Sequence, residues 1–190
     1  MRMNQPRIGQ QIEATRVRPR PEGSTLSIDY GRERIGLAIA RADAKMAQPL
    51  STLRRINRNE DMRRLRELAR EHRVRQVVVG LPLNLDGTRG EMAEEAERFA
   101  QRVRKQLGVL VEMVDERLTS WEAERLLEEM QGRFLHGPKK GGGRTQRKAS
   151  ARATVDALAA AVILNEYLGR QAQLTDSVET RIGTANARRD

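Results

Sequence analysis

The sequence predicts an α/β fold: one five-stranded mixed sheet, part antiparallel hairpin and part parallel strands, flanked by helices. Three observations carry this. Five short runs have strand character, at residues 25–29, 35–40, 51–56, 76–81 and 109–114. The last two are each followed by a segment of helical periodicity, which is the strand–helix order of crossover units. Finally, the stretch from Val155 to Leu164 is apolar on nearly every face, as a buried helix must be.

Each element has its own local reason. Leu26 and Ile28 alternate with Ser27 and Asp29, which is the strand period. Tyr30 to Arg34 supplies a turn, and Ile35 to Ala40 returns as the second strand of a hairpin. A third short strand is expected over Ser51 to Ile56. Asn59 to His72 carries Met62, Leu65, Leu68 and Ala69 at helical spacing. Val77, Val78 and Val79 form a compact apolar run within Gln76–Leu81, typical of a central strand, which enters the loop Gly80 to Thr88. The Thr88 to Glu91 spacing matches a capping box, predicting a helix that runs to Leu107 and stops at Gly108. Val109 to Val114 is another buried-type strand, ending at Asp115-Glu116. A second capping box, Thr119 to Glu122, opens a helix to Met130. The final helix is expected over Ala151 to Leu168, with a polar, frayed chain from Gly169.

This gives three regions. Residues 1–22 read as a disordered basic arm with Arg2, Arg7, Arg16, Arg18 and Arg20. Residues 23–169 form one domain, interrupted by a flexible, Gly-rich basic loop at 131–150. Residues 170–190 form a polar tail.

Composition narrows the chemistry. The 190 residues include 36 Lys plus Arg against 26 Asp plus Glu, a net charge of +10, so a phosphate-rich partner is expected. No run approaches transmembrane length, and no apolar signal core opens the chain, so the expected location is the cytoplasm. Cys is absent and His occurs only at positions 72 and 136, which removes thiol nucleophiles and makes a His-based metal centre a poor prospect. Aromatic residues are only 3%, too few for a base-stacking platform. The basic loop lacks the order of a P-loop.

Three acids, remote in sequence, stand where surface exposure is hard to justify. Asp29 ends an apolar strand in an Asp-x-Gly pattern, which a turn-capping Asp would also explain. Glu116 shares the end of a strand with Asp115. Adjacent strand residues point to opposite faces, so one of the two should reach a shared site, and periodicity leaves both open with Glu116 favoured. Asp156 lies in the apolar helix among Ala153, Ala157, Ala159 and Ala160. A pair with Arg152 would suit an exposed face, but a buried carboxylate there needs a partner or a cation. If the three converge, their hard oxygens suit magnesium or manganese.

In combination and order, the motifs resemble the YqgF/RuvX family, ribonuclease H-like proteins described as Holliday junction resolvases and as pre-16S rRNA nucleases. The matching pieces are Ile28-Asp-Tyr-Gly31 with Ile35-Gly-Leu-Ala38, Val79-Gly-Leu-Pro-Leu-Asn-Leu-Asp-Gly-Thr88, Asp115-Glu-Arg-Leu-Thr119, and Asp156-Ala-Leu-Ala-Ala-Ala161 with Ile163-Leu164 and Tyr167-Leu168. The resemblance covers roughly residues 25 to 169. It implies a ribonuclease H-like fold and places Asp29, Glu116 and Asp156 as catalytic and metal-binding acids. The expected cofactor is Mg2+ or Mn2+ in a two-metal site. The expected activity is phosphodiester hydrolysis, on the 5′ end of precursor 16S rRNA or, alternatively, on branched four-way DNA. A non-catalytic nucleic-acid-binding module is the other alternative. The residues expected to hold the nucleic-acid backbone are Arg32, Lys139, Lys140, Arg144, Arg147 and Lys148, with Thr88 and Thr119 at helix N-termini. The oligomeric state stays open between monomer and homodimer.

Overall fold

The computed structural model describes residues 22–118 and 155–175. Five strands form one sheet: β1 (Ser24–Tyr30), β2 (Arg34–Ala40), β3 (Gln48–Arg54), β4 (Val74–Leu81) and β5 (Leu110–Asp115), in spatial order β3-β2-β1-β4-β5. β1 runs antiparallel to β2, and β2 antiparallel to β3. β1 runs parallel to β4, and β4 to β5. This is the mixed five-stranded sheet that the sequence predicts, with β1 at its centre.

Strand alternation splits β1 between two cores. Leu26, Ile28 and Tyr30 face one side, where helices α1 (Arg58–Glu71) and α2 (Glu91–Leu107) pack. These helices contribute Met62, Leu65 and Ala69, and Ala96, Phe99 and Val103, all buried. Helix α3 (residues 155–175) covers the other side, packing Ala160, Ala161, Ile163 and Leu164 against Ala38, Val78 and Val114. Full burial of each large apolar side chain contributes about 1.5–3 kcal/mol. Polar contacts fix the register of α3 on the sheet. Asn165 accepts a bond from the Ala47 amide (2.7 Å), while Gln76 in β4 donates to the Tyr167 hydroxyl (2.5 Å).

Several element expectations need correction. Thr88 is not the cap of α2. The N-cap is Gly90, with no side-chain bond, and the Thr88 hydroxyl donates to Asp86 (2.6 Å). The Thr88–Glu91 spacing therefore marks a loop stabilised by Asp86, a competing use of the same short polar side chains. Asn57 is the cap that the sequence reading missed; it accepts from the Asn59 and Glu60 amides at the start of α1. β3 begins at Gln48, three residues earlier than expected, and takes in Pro49. An edge strand tolerates a residue without an amide proton, and the β2–β3 register shifts beside it. Helix α3 continues to residue 175 instead of fraying at Gly169, and Gln171 in this extension is buried. The expected helix from Thr119, the basic loop at 131–150, the start of the last helix before residue 155, and most of both terminal arms lie outside the described residues.

Candidate active site

The site is organised around a short row of three positions across the sheet. Asp29 on β1 is paired with Gly36 on β2. On its other side, one step beyond the Ile28–Val79 pair, lies Gly80 of β4. A Cβ on Gly36 would strike the backbone carbonyl of Asp156, so the first turn of α3 rests directly on the sheet there. A Cβ on Gly80 would strike the Glu116 carboxylate and the Ile163 side chain. The two glycines thus open the sheet on either side of Asp29, one to Asp156 and one to Glu116. Glycine in a strand interior weakens the strand, and close approach of another chain segment is one reason to find it there.

Glu116 reaches this position because the chain leaves β5 at Asp115 and enters a single 3-10 turn, Glu116–Leu118. Asp115 turns away. It accepts from the Arg117 guanidinium (2.7 and 3.1 Å) and the Arg117 amide (3.0 Å), and these contacts hold its carboxyl below the usual range. Arg117 also donates to the Leu85 carbonyl (3.2 Å), tying the loop after β4 to the end of β5. Of the two candidate acids, Glu116 is therefore the one that faces Asp29.

Electrostatics shows that the acids share one environment. Burial, followed by the nearby Asp156, pushes Asp29 up to about 6. Burial pushes Glu116 up to about 7, with further contributions from Asp29 and Asp115. Asp156 has a cation of its own: Arg34 Nε donates to its Oδ2 at 2.6 Å. Asp29, Gly31, Arg34, Gly36 and Asp156 line a cleft of about 270 Å3.

Arg34 is the site residue that sequence reasoning missed. Its signal was parity: it stands two residues before Gly36 on one strand and so shares that face. Arg32 was expected to contact nucleic acid; its guanidinium is held by Glu91 and Glu95, each at 2.8 Å. Thr88 is exposed, with its hydroxyl engaged by Asp86 and Asn84. Thr119, Lys139, Lys140, Arg144, Arg147 and Lys148 lie outside the described residues.

The donor chemistry fits a divalent cation. The oxygens are hard, and burial together with neighbouring acids holds two of the carboxyls against ionisation, which a bound cation would offset. Among the described residues, however, no three acids already stand as a closed ligand set, and Asp156 is turned onto Arg34.

Residues 23–170 match the RuvX family, whose description is Holliday junction resolvase. The chain belongs to the RuvX family. Relatives within it are similar over most of their length. A protein of Anaeromyxobacter sp. (strain K), named "Putative pre-16S rRNA nuclease", is 44% identical over 148 residues, which span 78% of this chain and 98% of that protein. A protein of the same name from Azotobacter vinelandii is 40% identical over 146 residues, 77% of this chain and 93% of the relative. Among solved structures, RuvC of T. thermophilus in complex with a Holliday junction aligns with a TM-score of 0.48 and 16% identity, over 76% of this chain and 94% of RuvC.

Proposed function

We propose that this RuvX-family chain is a metal-dependent endonuclease that hydrolyses phosphodiester bonds, and that its substrate is the 5′ end of precursor 16S rRNA. What supports the reading is that Asp29 lies between Gly36, where Asp156 approaches the sheet, and Gly80, where Glu116 does, with Asp29 and Glu116 both held against ionisation by burial. The printed names of the relatives support the RNA substrate. The net charge of +10 supports a polyanionic one.

Asp29, Glu116 and Asp156 would hold magnesium or manganese. The chemistry such ions supply when bound is Lewis-acid activation of water and neutralisation of charge on the leaving oxygen. The remaining roles belong to the chain itself. Gly36 and Gly80 let the acids approach. Arg34 fixes the Asp156 carboxylate and presents a guanidinium at the rim of the cleft, where a phosphate oxygen would enter. A precursor-rRNA substrate places the protein in the cytoplasm, and no helix among the described residues is long and apolar enough to cross a membrane.

The test is cleavage of a transcript carrying the precursor 5′ end, alone and within small-subunit particles, with magnesium and the full chain. Asp29→Asn, Glu116→Gln and Asp156→Asn should each reduce cleavage to the level seen without enzyme, while melting behaviour stays cooperative. Full activity in any of the three removes that acid from the mechanism. The family description favours a second reading, resolution of four-way DNA junctions. That reaction needs two paired cuts and hence a symmetric dimer. Paired incision of a junction, with no cleavage of the precursor transcript, would replace the RNA reading.

A further inference from the structure

β1 sends successive side chains to opposite faces, so Tyr30 looks away from Asp29, toward α1 and α2. Beside Tyr30, at the same end of the sheet as the acids, lies an open cavity of about 520 Å3. Its lining holds five arginines, Arg32, Arg55, Arg58, Arg98 and Arg102, against only two carboxylates, Asp61 and Glu95. Both carboxylates are engaged: Asp61 with Arg55 (3.0 Å) and Glu95 with Arg32 (2.8 Å). Arg98 is paired with Glu94 (3.3 Å), so positive charge remains in excess on Arg58 and Arg102.

Both stand where a cation is unfavourable without an anion nearby. Arg102 lies over the Phe99 ring at 5.9 Å, and its buried Nε has no hydrogen-bond partner. A buried donor left unsatisfied costs about 1–3 kcal/mol. Burial, and after it the neighbouring Arg58, Arg55 and Arg98, holds the Arg102 guanidinium below its ordinary range. Arg58 opens α1, the end of a helix where the backbone dipole disfavours positive charge, and it makes no ion pair among the described residues. One anion in the cavity would answer both deficits.

The chemistry of the cavity indicates which anion. Its aromatic rings offer no face to a base. Tyr30 is 7% exposed and packs against Phe99, with ring centroids 4.8 Å apart, while Arg55 covers it from 4.9 Å. Recognition here is of phosphate, not of a nucleobase, which argues against a free nucleotide. The cavity and the acid cleft adjoin at Arg32, in the turn between β1 and β2, which lines both.

We infer that Arg58 and Arg102, with Arg98 beside them, hold a backbone phosphate of the same nucleic-acid strand that enters the cleft at Asp29. This rests on the nuclease reading for the identity of the strand. It adds a second anchoring point, on the α1/α2 face, reached around the β1–β2 turn. Anchoring through phosphate positions the strand without reading its sequence.

The test is binding in EDTA, which removes cleavage from the measurement. Fluorescence anisotropy of the full chain would use two labelled probes: RNA spanning the precursor 16S 5′ end and a four-way DNA junction. Arg58→Ala is exposed and safe for folding; Arg102→Gln keeps the stem over Phe99. The double variant should bind the preferred probe about tenfold more weakly, with the salt slope reduced by about 1 to 2. Arg75→Ala, exposed at the opposite end of the sheet, removes a like charge and should change little. Equal losses in Arg75→Ala and either cavity variant would overturn the inference, since charge alone would explain them. So would unchanged affinity in the double variant, or binding of neither probe by the wild type. A free-phosphate site would show differently: inorganic phosphate would raise the melting temperature of the wild type but not of Arg102→Gln, with nucleic-acid affinity unaltered, and this too would overturn it. Because binding is read without turnover, loss of the anchor and loss of the three-acid mechanism are distinguishable results.

Discussion

Asp29 and Glu116 are acids whose charge the fold opposes, and the sign of the consequence can be worked out. Their values in the folded chain, about 6 and about 7, lie above the ordinary 3.8 and 4.5. Between those limits the folded chain binds more protons than the unfolded one, so stability falls as pH rises through the window. Without metal, the protein is expected to unfold at lower denaturant concentration as pH goes from about 4 to about 7, losing on the order of 2 kcal/mol per acid. Asp29→Asn should flatten part of this dependence and stabilise the metal-free chain at neutral pH, even as it abolishes cleavage. Urea titrations in EDTA across that range measure it. A stability that rises with pH would mean that burial does not control these groups. The candidate acids stand out in the sequence because Asp29 and the Asp115-Glu116 pair close apolar strands and Asp156 interrupts an apolar helix. Arg34 was not, because its importance lies in a contact with Asp156, 122 positions away.

At the scale of elements, the glycines on β2 and β4 make different predictions. Alanine at Gly36 meets the backbone of Asp156, which cannot rotate aside. Gly36→Ala should cost about 1–3 kcal/mol and shift α3, reducing cleavage with it. At Gly80 the obstacles are the ends of two side chains, Glu116 and Ile163. Gly80→Ala should therefore cost less in stability, yet displace the Glu116 carboxylate and lower activity as strongly. Thermal melts and cleavage rates of the two variants, taken together, separate the effects. Equal destabilisation would contradict the distinction. Strand and helix order followed from periodicity because β1, β2, β4 and α3 bury whole faces. Edges and caps did not. Pro49 sits in β3 because an edge strand spares its missing amide, and Gly90, not Thr88, precedes α2 because Asp86 takes the threonine. Both outcomes depend on neighbours that local patterns do not contain.

At the scale of the whole molecule, charge acts in addition to the site. Residues 1–21 carry five arginines and one glutamate, a net of +4 within the total of +10. Deleting them should weaken RNA and DNA binding alike and lower the salt dependence of both, because unspecific attraction reads neither base nor sugar. A selective loss for one probe, seen in parallel anisotropy titrations, would assign the segment a recognising role. Sheet order has a further consequence. Among the described residues, α3 alone closes one face of the sheet, and it also brings the third carboxylate. A nascent polypeptide that has passed Glu116 but not yet Asp156 holds two acids on an uncovered sheet. Completion of the core and assembly of the proposed cutting centre are then one event, reached only once α3 has been made. A chain emerging beside ribosomal RNA would be inert toward it until α3 has left the ribosome and docked.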